Sequence, residues 1–224
     1  MFVAPAETAS FEQEVLRINA RFNTEIIEGV SACPYARPAR VAGSSQRRGV
    51  LATDARSALD GLMGVAADLA PREEVEVAQV IFPLIGLDAA AFQGFASDFG
   101  RANAALRPGR PVFVHAAFHP ELPYSAETPS RLVPFFRRSP DPMIQLVRLA
   151  VLDAIHQAKP RGTQFFSGTA EEIAALLATR PESVTDRITR ENHEAAVGGN
   201  LEHVSAIFQD ILADRARTYA RFVR

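Results

Sequence analysis

Apolar runs of strand length alternate along this chain with stretches of helical period, and that alternation limits the fold more than any other feature. Phe11, Val15, Ile18, Phe22, Ile26 and Val30 recur at helical spacing. With Ser10 and Gln13 as a capping box, they predict a first helix running to about Gly29. Ser31 to Arg48 reads as a basic loop, followed by a short strand around Gly49 to Thr53. A second helix is expected from Thr53 to Ala70, a buried strand over Val75 to Pro83, a third helix from Asp88 to Leu106 and a third strand from Pro111 to Phe118. Helices that alternate with strands pack onto a sheet. The expected fold class is therefore α/β, with α+β as the alternative, built on a small three-stranded sheet that becomes four-stranded if Thr163 to Phe166 joins it.

Beyond the third strand, Asp141 as N-cap and Pro142 at the first helical position predict a helix through about Ala158, its inner face formed by Met143, Leu146, Val147, Ala150, Val151 and Ile155. Thr169 and Glu172 form another capping box. Gly198, Gly199 and Asn200 break the chain before a long final helix carrying Leu201, Val204, Phe208, Ile211 and Leu212. Residues 1–160 are expected to form the core domain and 161–224 a helical extension packed on it, whose last helix allows a homodimer contact.

With 224 residues, 47% apolar and 22% charged, the chain has enough material to bury a full core. A formal net charge of −2 leaves no general basic footprint, which speaks against a nucleic-acid partner. The N-terminal residues lack the pattern of a signal peptide, and no run of about 18 apolar residues could span a bilayer. A soluble, cytoplasmic protein is the expectation. One cysteine, Cys33, rules out an internal disulfide framework and a zinc site built from several thiolates.

Between Phe118 and Arg148 lies a stretch rich in proline and arginine. Connections of about 20 residues inside a compact domain are uncommon unless they carry function or are disordered. Phe118, Tyr124, Leu132, Val133, Phe135 and Phe136 make this one too apolar for disorder, so it should be packed and should line a site. His119 sits where the strand ends, the position at which sites of α/β folds gather. Its imidazole suits a metal ligand or a general acid or base. His115, four residues earlier on the strand, shares its face at roughly 13 Å, too far for a common metal ion, and is expected to be a hydrogen-bonded core histidine. Arg131, Arg137 and Arg138 precede Ser139, which caps the next helix if that helix starts a turn early. Guanidiniums beside a helix N-terminus would suit carboxylates or phosphates. Cys33-Pro34 offers either a thiolate or a small, partly buried hydrophobe at a helix end.

In order and spacing, CPYA at Cys33, FHP at Phe118, TP at Thr128 and RRSPDPMIQLVR at Arg137 resemble a bacterial family, domain of unknown function 1415, over approximately Ile26 to Ile155. The family's motif falls on Cys33, Pro34, His119, Pro120, Arg138, Ser139, Pro140, Pro142, Leu146 and Arg148. Arg137, Ala126, Gln145 and Leu149 depart from it, and Phe165 onward looks like an addition to the family core. A narrower similarity, carried by the Cys-Pro segment and the His-Pro dipeptide, links such chains to the haem-dependent arginine N-hydroxylase family. That likeness implies a haem oxidoreductase acting on a small polar metabolite, an amino acid or amine. His119 would be the axial and metal ligand, Cys33 the competing ligand, and Arg137 and Arg138 partners of propionates or a substrate carboxylate. Tyr124 would lie in the pocket, with Ser139 and Arg148 completing the cofactor-binding set. Two alternatives stand beside it. One is a metal-free or mononuclear-metal enzyme with His119 as general base and Arg138 with Arg148 as a carboxylate clamp. The other is a binding or assembly protein without catalysis.

Overall fold

A computed structural model of the chain describes residues 3–33, 35–106, 111–157, 189–190, 193–194 and 201–224. A mixed four-stranded sheet sits between two helical layers. Its strands are β1 (Ser45–Gly49), β2 (Val77–Ile81), β3 (Phe113–Phe118) and β4 (Met143–Arg148), in the spatial order β1-β2-β4-β3. β1 and β2 are parallel, and β4 runs antiparallel to both of its neighbours.

One face of the sheet carries α1 (Thr8–Arg21), a π-helical turn (Phe22–Ile27) that continues it, and the C-terminal helix, here α7 (Leu201–Tyr219). Phe11, Val15, Ile18, Phe22 and Ile26 come from the first of these, Val204, Phe208, Ile211 and Tyr219 from α7, and Ile81, Met143 and Phe118 from the sheet, to form one buried cluster. The other face carries α3 (Ala55–Leu69) and α4 (Ala89–Leu106), whose Leu62, Leu69, Phe92, Phe95 and Phe99 pack on Val80, Ile144, Leu146 and Phe113. Local chemistry sets the helix starts. The Asp54 carboxylate accepts the Ser57 amide at 2.9 Å and the Asp88 carboxylate that of Ala91 at 2.8 Å, each satisfying a donor that the first turn leaves open.

The α/β expectation holds, with corrections in detail. Ser10 lies inside α1, which begins at Thr8, so the expected capping box is absent. The basic loop contains α2 (Ala36–Val41), and the first strand is Ser45–Gly49, earlier than expected. The proline-rich connection contains α5 (Pro129–Phe136), capped by Thr128 with Pro129 at its first position. The largest correction concerns Asp141 to Arg148. Asp141 caps no helix there, because Met143–Arg148 is a central strand and only Leu149–Gln157 is helical (α6). A segment paired on both edges and buried on both faces loses the two-residue alternation that identifies a strand. The predicted elements at Thr163 to Phe166 and Thr169 to Glu172 lie outside the described residues. α7 confirms the last helix, and its apolar face is covered by α1 and the sheet of its own chain. Among the described residues no helix is long and apolar enough to cross a membrane.

Candidate functional site

Two of the expected site residues meet in one place. Between the π-helical turn, the segment after β3 and α7 there is a cavity of about 240 Å³, lined by Phe22, Ile26, Tyr124, Phe135, Arg138, Val204, Ser205, Phe208 and Gln209. Phe135 reaches it because α5 buries Leu132 and Phe135 on one side, and Tyr124 packs on the Phe135 ring at 4.9 Å. Arg138 is held at its Nε and by ring contacts to its guanidinium. Its Nε donates to the Pro120 carbonyl at 2.9 Å, while its central carbon lies 5.5 Å from the Tyr124 ring centroid and 5.0 Å from that of Phe208.

A cation held over two rings gains from their negative faces and loses water there. What stays open is the in-plane edge of the fork, the two terminal nitrogens. Among the described residues these nitrogens donate no hydrogen bond, and no carboxylate pairs with the side chain. The arrangement can hold an oxyanion in a bidentate fashion, with an apolar body packed against Phe22, Ile26 and Phe135.

The remaining expected residues are elsewhere. His119 is 3% exposed and packs its ring, tilted by 41°, against Phe92 of α4, on the opposite face of the sheet from the cavity. Its Nδ1 accepts the Glu121 amide at 3.2 Å, which leaves Nε2 to donate to the Leu87 carbonyl at 3.0 Å. Both ring nitrogens are thus committed to the backbone, and neither presents a lone pair to a metal or a substrate proton. His115 points to the same side as His119, as strand geometry requires. Its ring meets Phe99 edge-on at 5.3 Å, and burial pushes its pKa below the usual histidine value.

Cys33 is partly buried at the border of the cluster under α1, away from His119; Pro34 is outside the described residues. Arg137 is exposed, and its carbonyl accepts the His119 amide at 3.0 Å. Ser139 is fully buried and donates to the Asp141 carbonyl. Arg148, at the far end of β4, is a structural clamp. Its Nε donates to Val75 at 2.8 Å, Nη1 to Ala70 at 3.3 Å, and Nη2 to Leu69 at 3.1 Å and Arg72 at 2.7 Å, satisfying carbonyls at the end of α3. The expected anion site at a helix N-terminus is not formed, since no helix follows Ser139 and Arg131 pairs with Glu127.

Sequence reasoning missed the role of Asp141. It is 2% exposed and receives the Arg215 Nε and the Tyr219 hydroxyl, each at 2.7 Å, which ties α7 to the start of β4. It also placed Phe22, Ile26 and Phe208 in the core without seeing that they border a cavity. Among the described residues, no three His, Cys, Asp or Glu side chains converge to hold a metal ion.

Residues 15–179 match the family described as protein of unknown function DUF1415, and the chain belongs to that family. The match starts earlier and ends later than the segment from Ile26 to Ile155 that the motifs mark out, so the family core extends past Phe165. No curated protein and no solved structure matches the chain.

Proposed function

We propose that this protein binds a small metabolite bearing a carboxylate, with Arg138 as the clamp and the aromatic cavity as the seat for the rest of the molecule. The observation that supports this reading is the Arg138 guanidinium, held by Pro120, Tyr124 and Phe208 with its terminal nitrogens unpaired among the described residues. A cavity of about 240 Å³ lies below the range of roughly 300–1,000 Å³ typical of drug-sized ligands, which points to a small molecule. Among the described residues no carboxylate, imidazole or thiol lines the cavity, so the hydroxyls of Tyr124 and Ser205 have no such base among the lining residues to activate them. The reading is one of binding, and His119 has no part in it. Haem enters it no more than His119 does, because the donors expected for iron are engaged or apart: both nitrogens of His119 are hydrogen-bonded, and Cys33 packs on the other face of the sheet. A reducing cytoplasm suits a chain whose one cysteine is free.

Calorimetric titration with benzoate, 3-phenylpropanoate and butanoate, with benzyl alcohol as the neutral control, tests this. The native protein should bind at least one carboxylate and prefer it to the alcohol. Arg138→Met keeps the length of the side chain and removes the charge. A charged hydrogen bond contributes about 1.5–3 kcal/mol, so the variant should bind roughly 10- to 150-fold more weakly. Failure of every carboxylate to bind the native protein, or equal binding by a folded Arg138→Met, would overturn the proposal.

A further inference from the structure

The cavity that holds the Arg138 guanidinium has a second polar wall, supplied by α7. Ser205, Phe208 and Gln209 line it from that one helix. Residues three and four apart on a helix lie side by side, with roughly 5–6 Å between their Cβ atoms. The Ser205 hydroxyl therefore neighbours both the Gln209 amide and the Phe208 ring, whose centroid is 5.0 Å from the central carbon of the Arg138 guanidinium. A carboxylate on the Arg138 fork would have this hydroxyl about one helical turn away.

The fold makes no use of that hydroxyl. A serine or threonine inside a helix can turn its hydroxyl back to the carbonyl four residues earlier, and in this chain Thr24 does so to Ala20 at 2.9 Å and Ser97 to Gln93 at 3.0 Å. Ser205, partly buried, makes no such bond to Leu201 and no other side-chain hydrogen bond among the described residues. A hydroxyl removed from water without a partner costs stability, and a ligand group can supply the partner. The wall is also uncharged. Among the described residues the lining holds one cation, Arg138, and no carboxylate. An ammonium group would meet the guanidinium with no anion of the protein to offset it, whereas a neutral hydroxyl meets a side chain that can both donate to it and accept from it.

We infer that the ligand of this cavity is a 2-hydroxy acid with an apolar side chain, and that Ser205 is the residue that selects its hydroxyl. The inference rests on Arg138 as the carboxylate clamp. With the carboxylate on the fork, the hydroxyl on Ser205 and the apolar group against Phe22, Ile26 and Phe135, three substituents of one carbon have separate seats. Such a site distinguishes the two enantiomers.

Calorimetric titration of the full chain with 3-phenylpropanoate, with each enantiomer of 2-hydroxy-3-phenylpropanoate and with each enantiomer of phenylalanine tests the inference. One hydroxy acid should bind roughly two- to tenfold more tightly than 3-phenylpropanoate, the gain from one neutral hydrogen bond, and more tightly than its mirror image and both phenylalanines. Ser205→Ala, a change that favours the helix, should remove that gain and leave the affinity for 3-phenylpropanoate as it is. No gain from either hydroxy acid, equal gains from both, a phenylalanine that binds as tightly, a gain that survives in Ser205→Ala, or a parallel loss of both kinds of acid in that variant would each overturn the inference and leave the Arg138 clamp standing. Failure of every acid to bind the native protein would overturn both.

Discussion

Replacing Arg215 by Met should destabilise this fold strongly at neutral pH and progressively less as the medium becomes acidic. Asp141 sits 2% exposed beneath α7, and Arg215 is the cation that faces it, with Tyr219 supplying a second donor. Burial pushes the Asp141 carboxyl above its usual range, and the attraction of Arg215 works against that rise. Removing the guanidinium leaves a buried charge with a single neutral partner. Such losses cost about 3–5 kcal/mol; the lower end applies because the Arg215 side chain is 29% exposed and water can partly replace it. The sign with pH follows from proton binding. A carboxyl whose pKa is raised on folding binds its proton more tightly in the native state, so stability is lost as pH rises through that interval and regained as pH falls. Urea unfolding followed by circular dichroism between pH 5 and 8 should therefore show a gap between native and Arg215→Met that narrows towards acid. Adding Asp141→Asn to Arg215→Met should recover much of the loss at neutral pH. A gap below about 1 kcal/mol, a gap that does not change with pH, or a double variant no more stable than Arg215→Met would refute this account of what holds α7 down.

Arg148→Lys should lower stability by about 2–3 kcal/mol, since one ammonium cannot reach the carbonyls of Leu69, Ala70, Arg72 and Val75 that the fork satisfies; carboxylate titration should show unchanged affinity in the folded variant. Gly100→Ala would bring a methyl to within 2.8 Å of the His115 ring and should cost about 1–3 kcal/mol in denaturant unfolding. Burial lowers the pKa of His115, so the unfolded chain takes up its proton first as pH falls below the ordinary histidine value, and stability drops. His115→Leu should make that acid limb of the pH–stability curve shallower.

The layered α/β organisation was legible because α1, α3, α4 and α7 are amphipathic over many turns, and because β2 and β3 are apolar enough to stand out. β4 was not, for a physical reason. MIQLVR is followed without any breaker by LAVLDAIH, and Met143, Leu146, Val147 and Ala150 satisfy a helical period as well as Ile144 and Leu146 satisfy a strand. Only the gap between β2 and β3, a tertiary fact, decides the matter. At the site, Tyr124 and Arg138 could be picked out because they sit in a stretch too long and too apolar to be idle. His119 shows the limit of that reasoning. Its place at a strand end suggested chemistry, yet nothing local reveals that Glu121 and Leu87 will occupy both nitrogens. Gln79, the one polar residue in the run Val77 to Phe82, carried a signal that was available, since its amide exchanges hydrogen bonds with Asn23 of the π-helical turn.

The cavity at Arg138 takes Val204, Ser205, Phe208 and Gln209 from α7, beyond the residues 15–179 that match the family. The Asp141 pair and the salt bridges of Arg17 and Arg21 to Asp214, each at 2.8 Å, hold the helix down, so loosening it opens the cavity. Asp214→Asn is the mild perturbation for this purpose, because its carboxyl, held well below the usual range by Arg17 and Arg21, is partly exposed and its loss leaves no buried charge. In that variant 3-phenylpropanoate should bind more weakly than to the native protein in calorimetric titration. Unchanged affinity in a folded Asp214→Asn would mean that α7 is not what closes the cavity.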